Sequence, residues 1–214
     1  DASWSSGYIL ASLGDREAGI AACRRGVLRA QDPLNASAAL GFLGYAYLQS
    51  GDFPAAISAL ERALDQLAPT GFAQLLGWFS AFLAEAYLSS GRLDDARLRA
   101  EAGLAFTRDT RFWYGAGLAQ RALGRVARQA GRDDLADAHL SEALTTFTTV
   151  LVPFEAAKTH LDLAELATAQ GDPARASHHL ARAHDLFAGL ELPSDFEHPG
   201  APGPLPVVAA TKSA

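Results

Sequence analysis

The chain repeats itself every 40 residues, and no other property of the sequence restricts its fold so tightly. Gly51-Asp52, Gly91-Arg92, Gly131-Arg132 and Gly171-Asp172 keep that spacing, with Gly14-Asp15 a further 37 residues upstream. The flanks hold the same register. Eight residues before the last four glycines stand Leu43, Leu83, Leu123 and Leu163; seven before stand the small residues Gly44, Ala84, Gly124 and Ala164. Nine after come Leu60, Ala100, Leu140 and Leu180, and five after each glycine is an alanine (Ala56, Ala96, Ala136, Ala176). Large and small apolar residues at offsets of three and four mark one face of a helix on each side of the turn. Each unit is therefore a helical hairpin, and the units are expected to bury one another's faces as a stack.

The turn chemistry supports this reading. Glycine at the end of the first helix supplies the left-handed C′ conformation. Asp52 and Asp172 can N-cap the second helix, and Pro54 and Pro173 suit its first turn, where a missing N–H costs nothing. Asp94 and Asp95 place negative charge where the helix dipole favours it. The 45 alanines among 214 residues favour helix over strand throughout.

Leu43-Gly44-Tyr45-Ala46-Tyr47-Leu48-Gln49-Ser50-Gly51-Asp52 and Leu83-Ala84-Glu85-Ala86-Tyr87 carry a resemblance to the tetratricopeptide repeat (TPR) family. That family's unit is about 34 residues, so these hairpins are longer than usual. The long unit is similar to a subtype found in the C-terminal region of bacterial ATPase-linked signalling proteins, nucleotide cyclases or LuxR-type regulators. Residues 152–164, from Val152-Pro153-Phe154 to Leu163-Ala164, look like the last repeat of such proteins. The resemblance implies an all-α, right-handed superhelical solenoid of about five antiparallel hairpins, with the first helices lining a concave surface.

Residues 1–192 form the expected repeat domain, with a truncated or divergent unit over 1–34 and hairpins at about 35–72, 73–112, 113–152 and 153–192. Residues 193–214 hold five of the ten prolines and no helical period, and are expected to be an irregular tail that could cover exposed solenoid surface. The absence of methionine reads as a fragment of a longer chain, and the excess of arginine over lysine as a GC-rich bacterial source.

Net charge of −6 gives no reason to expect nucleic-acid or anionic-membrane binding. One cysteine excludes an internal disulfide and any multi-cysteine metal site. No apolar run is long enough to span a bilayer and no leader opens the chain, so a cytoplasmic location is expected. Phosphate loops, dinucleotide fingerprints, nucleophile elbows and zinc-protease pairs are missing, which predicts a non-enzymatic segment without a cofactor. His179 and His184 are five residues apart, not the four that a helical metal pair needs, so no metal site is expected. The histidines, His160 among them, read as solvent-facing. Cys23 reads as a small buried hydrophobe. Phe72 and the cluster Phe112-Trp113-Tyr114 read as inter-repeat packing.

The feature closest to chemistry is a basic stripe. Arg121, Arg125 and Arg128 stand at i, i+4 and i+7, on one face of the fourth unit's first helix. By the resemblance those are inward-facing places. Tyr45, Glu85 and Glu165 share the stripe in other units, and Trp78 and Lys158 stand 13 residues before their glycines. Guanidinium groups on a concave wall bind carboxylate or phosphate bidentately. One reading is thus an anchor for an acidic or phosphorylated peptide in a scaffold or sensor. The other is that the arginines pair with Glu85, Glu165 or neighbouring aspartates and hold the groove together. A pocket for a small anionic ligand, closed by Trp78 and Tyr45, and self-association through the terminal repeats are the alternative functions.

Overall fold

In the computed structural model, residues 3–190 and 192 are described. Among them the chain forms ten α-helices in five hairpins. The pairs are α1 (Ser3–Ser12) with α2 (Arg16–Arg29), α3 (Pro33–Ser50) with α4 (Phe53–Leu67), and α5 (Ala73–Ser89) with α6 (Leu93–Thr110). They continue with α7 (Trp113–Gln129) and α8 (Asp133–Thr149), then α9 (Pro153–Ala169) and α10 (Pro173–Ala188). Consecutive odd helices touch one another, and each even helix packs on the next odd one, so the hairpins stack as an all-α solenoid. The tail expected over 193–214, and any packing of it on the solenoid, lies outside the described residues.

The repeat glycines do what their spacing predicts. Gly51, Gly91, Gly131 and Gly171 have φ of 82°, 75°, 71° and 73°. In each turn the glycine N–H donates three residues back and the next N–H five back, as in Gly51 to Leu48 and Asp52 to Tyr47. Both bonds satisfy carbonyls that the helix end would leave open. Asp52 and Asp172 accept from Ala55 N and Arg175 N at 3.1 and 2.9 Å, capping the following helices.

Within a hairpin, the periodic small and large positions mate. A Cβ added to Gly44 would lie 2.6 Å from Leu60 Cγ, and one added to Gly124 would lie 2.6 Å from Leu140 Cγ. The positions seven before and nine after the turn glycine are thus one contact, repeated 80 residues apart. Cys23 is fully buried beneath Gly7, and burial pushes its thiol up to about 12, so it is a packing residue rather than a nucleophile.

A second set of left-handed residues closes the turns between units: Gly71, Arg111 and Leu151, at φ 63°, 53° and 58°. The aromatic residues beside these turns depart in part from the expected inter-repeat packing. Phe112 lies 6.0 Å from Trp78 and Tyr114 5.2 Å, but Phe72 and Trp113 remain exposed. Phe72 stands just before α5 and Trp113 opens α7, both beside the turns between units.

Candidate functional site in the concave face

The inner face is built from α1, α3, α5, α7 and α9, and its floor is aromatic. Tyr8 from the first unit packs on Phe42, Tyr45 and Trp78 at 5.1, 4.9 and 5.5 Å between ring centroids. Its hydroxyl lies 2.8 Å from that of Tyr114, which itself donates to Glu155 at 3.5 Å. One tyrosine of the first unit thereby touches the fourth, and the space enclosed by Trp78 and Tyr45 is filled by the chain's own rings. Burial holds the phenols of Tyr8, Tyr45 and Tyr114 well above their usual range, so they remain neutral donors.

Above this floor lies a charge network. Arg121 Nη1 donates to Glu155 at 2.5 Å; its other nitrogens stand 3.8 Å from Glu85 and 3.9 Å from Asp162. Arg125 Nε donates to Asp162 at 2.8 Å and approaches Glu85 at 3.6 Å, while Lys158 Nζ sits 3.6 Å from Glu155. Three cations thus face three carboxylates. Burial alone would push the Glu155 carboxyl up, but Arg121 and then Lys158 overcome it and hold the group at about 2. Burial likewise disfavours charge on Arg121, and the Glu155, Glu85 and Asp162 carboxylates reverse that. Lys158 goes the other way: desolvation outweighs Glu155, and its pKa is lowered.

The arginine stripe is graded. Arg121 is 2% exposed, Arg125 30% and Arg128 34%, and the only ion-pair partner of Arg128 among the described residues, Glu165 at 2.8 Å, is 47% exposed. All eight residues singled out from sequence lie along this inner face. Tyr45 and Trp78 form the floor, Arg121, Arg125, Glu85 and Lys158 the network, and Arg128 and Glu165 the open margin. Sequence reasoning did not single out Glu155 and Asp162, nor Tyr8. A signal was present: Glu155, Lys158, Asp162 and Glu165 follow spacings of 3, 4 and 3 along α9, a charge stripe as regular as that of the arginines.

The expectation of solvent-facing histidines is corrected at His160, which is buried, with its Nδ1 2.9 Å from Nδ1 of His179. The contact needs an N–H on one Nδ1 and an unprotonated Nδ1 opposite it, so it is lost once both rings are protonated and the α9–α10 pairing is proton-sensitive. Desolvation, with His179, Arg182 and His178 adding to it, pushes His160 down to about 4; desolvation and then Arg175 lower His179, against weaker attraction from Asp137. Unfolded histidine binds its proton near 6.5, so the unfolded state gains protons first as pH falls. Stability of the last hairpin should be complete above about 6.5 and fall, on the order of 1–2 kcal/mol, toward about pH 4. Amide exchange in α10 followed across that window measures it. A His160→Asn variant should flatten the dependence, and an unchanged slope would refute the assignment.

Comparison with known proteins places these features. Residues 39–71 match the tetratricopeptide repeat family model. BtubC (BKLC) from P. vanneervenii superposes with TM-score 0.62 at 19% identity, covering 82% of this chain and 74% of its own. A Rap protein complexed with Competence and Sporulation Factor gives TM-score 0.78 at 13% identity over 87% of this chain, which spans about half (53%) of that protein. A Podospora anserina putative kinesin light chain with nearly identical TPR-like repeats gives 0.58 at 19%, covering 88% of this chain and 94% of its own. No curated protein matches the chain in sequence. The fold is that of tetratricopeptide-type helical repeats, and the recognised repeat coincides with most of α3 and all of α4.

Proposed function

We propose that the chain is a non-enzymatic, protein- or peptide-binding segment of a larger cytoplasmic bacterial signalling or regulatory protein. An acidic or phosphorylated ligand is held at the open margin of the concave face by Arg128 and Arg125. The observation that carries this reading is the gradation of the stripe. Arg121 is committed to buried partners and cannot be released without stranding carboxylates. Arg128 holds a half-exposed glutamate, and such a pair contributes no more than about 1 kcal/mol. A ligand carboxylate or phosphate displacing Glu165 therefore loses little and gains a bidentate partner. The complex of a Rap protein of the same fold with Competence and Sporulation Factor supports a peptide ligand. A small-molecule pocket between Trp78 and Tyr45 is disfavoured, because Tyr8 fills that space.

Titration of acidic and phosphorylated peptides tests the site. Arg128→Ala should weaken binding about tenfold, corresponding to one lost charge-assisted hydrogen bond. Its thermal stability should stay within about 0.5 kcal/mol of the parent, as expected for a surface substitution. Wild-type affinity should fall with salt. Affinity that ignores both the substitution and the salt would sink the assignment, as would a complete lack of binding to peptides of either class.

A further inference from the structure

The two edges of the solenoid differ in chemistry. One edge carries the turns within hairpins, each with a charged residue after its glycine and with Asp94, Asp95, Asp133 and Asp134 close by. The other carries the turns between units. On that second edge lie Leu28, Leu34, Phe72, Phe106, Trp113 and Leu151, six of the eight large apolar side chains exposed among the described residues. Trp113 is 55% exposed and Leu151 84%. Two of the four turns that build the edge lie in stretches without charge: residues 66–84 and 143–154 contain no Asp, Glu, Lys or Arg. An apolar row that runs through such uncharged stretches on an otherwise acidic protein marks a surface that another protein covers.

The arrangement also indicates which protein. The odd helices run parallel to one another, so Leu34, Phe72, Trp113 and Leu151 follow at one per unit, each at or just before a helix start. An evenly spaced row of this kind is complementary to itself when turned end for end, which is what a two-fold interface requires. Two charges flank its centre. Asp65, in the last turn of α4, and Arg111, in the turn after α6, are both exposed, and neither side chain has an ion pair or hydrogen bond among the described residues. With the axis between the Phe72 and Trp113 turns, Asp65 of one copy meets Arg111 of the other, twice. Elsewhere two copies of net charge −6 repel.

We propose that the inter-unit edge is a homodimer interface, with two copies of this chain pairing antiparallel about an axis between Phe72 and Trp113. Phe72 then packs against Trp113 of the second copy, Leu34 approaches Leu151, and Asp65 pairs with Arg111. The concave face stays open in the dimer, so this interface and the anion-binding margin can fail independently.

Sedimentation of the full chain from micromolar to hundreds of micromolar concentration should show a monomer–dimer equilibrium. Trp113→Glu should weaken it at least tenfold while leaving the helical circular dichroism intact, because the side chain is exposed. Asp65→Arg and Arg111→Asp should each weaken it, and the two together should restore it. Arg111→Asp suits the backbone there, since aspartate enters the left-handed region more readily than most residues. A directed cross-link adds geometry: Thr70→Cys chains mixed with Thr110→Cys chains should couple in preference to either alone, with Cys23 buried and silent. A wild-type monomer throughout the range overturns the proposal. So does a dimer that is indifferent to Trp113→Glu and to both charge reversals, since its interface then lies elsewhere.

Discussion

Arg121→Ala should lower the unfolding free energy by about 3–5 kcal/mol, the usual cost of stranding buried charge. The guanidinium is fully enclosed, with Glu155 at 2.5 Å and Glu85 and Asp162 within 4 Å. Its removal leaves three carboxylates facing Arg125 and Lys158 alone, and also strips the cation from the face of the Phe147 ring, 5.6 Å away. The pH dependence should change sign with it. In the parent protein Glu155 is held at about 2, below its unfolded value near 4.5. Its contribution is therefore present above about pH 4.5 and lost as pH falls toward 2. Without Arg121, burial would instead hold the Glu155 carboxyl above its unfolded value, so the variant should gain stability as pH falls toward about 4.5 and stay level below it. Removing one charge of each sign, as Arg121→Met with Glu155→Leu, keeps the cluster neutral and should recover most of the loss. Denaturant titrations of the parent and the two variants at two pH values decide the matter. A loss below about 1 kcal/mol for Arg121→Ala would mean that water, not carboxylate, solvates this group.

What could be read from the sequence was what repeats. The turn glycines recur every 40 residues, and the Asp52 and Asp172 caps and the Gly44–Leu60 and Gly124–Leu140 contacts at multiples of that spacing, so the period exposes them. The turns between units repeat in conformation but not in composition: Gly71, Arg111 and Leu151 share a left-handed backbone although only one is glycine. Leu151 there is conformationally costly, and no local preference would have chosen it. The concave site was half legible for a related reason. Helical spacing put the three arginines on one face, but burial separates Arg121 from Arg128, and burial depends on how far the first unit folds over the fourth. Tyr8 reaching Tyr114 across 106 residues is a long-range fact that no periodicity encodes. The His160–His179 contact escaped for the same reason, because the paired residues lie on opposite helices of one hairpin.

Gly41→Leu should cost about 3 kcal/mol or more, at the upper end of what overpacking does. Gly41 lies on the inward stripe of α3, where Phe79 of the next unit lies directly across the backbone. A Cβ there would stand 2.2, 2.4 and 2.5 Å from three carbons of that ring. The ring has no room to retreat: it is fully buried and edge-on to Phe42 at 5.1 Å, with Phe82 behind it at 6.5 Å. Even Gly41→Ala should destabilise, although alanine gains about 1 kcal/mol in helix propensity. Because each hairpin depends on its neighbour for burial, the damage should fall on the joint between units two and three. Amide exchange should then show α1–α4 opening separately from α5–α10, where the parent opens together. Phe79→Ala in the Gly41→Leu background vacates the contested volume and should return part of the loss, so the double variant is destabilised by less than the sum of the two single ones, whereas independent substitutions would add. If Gly41→Leu leaves stability and exchange unchanged, Phe79 can leave the joint at little cost. Successive units would then be held in register by the inner charge network and not by a ring laid across a glycine.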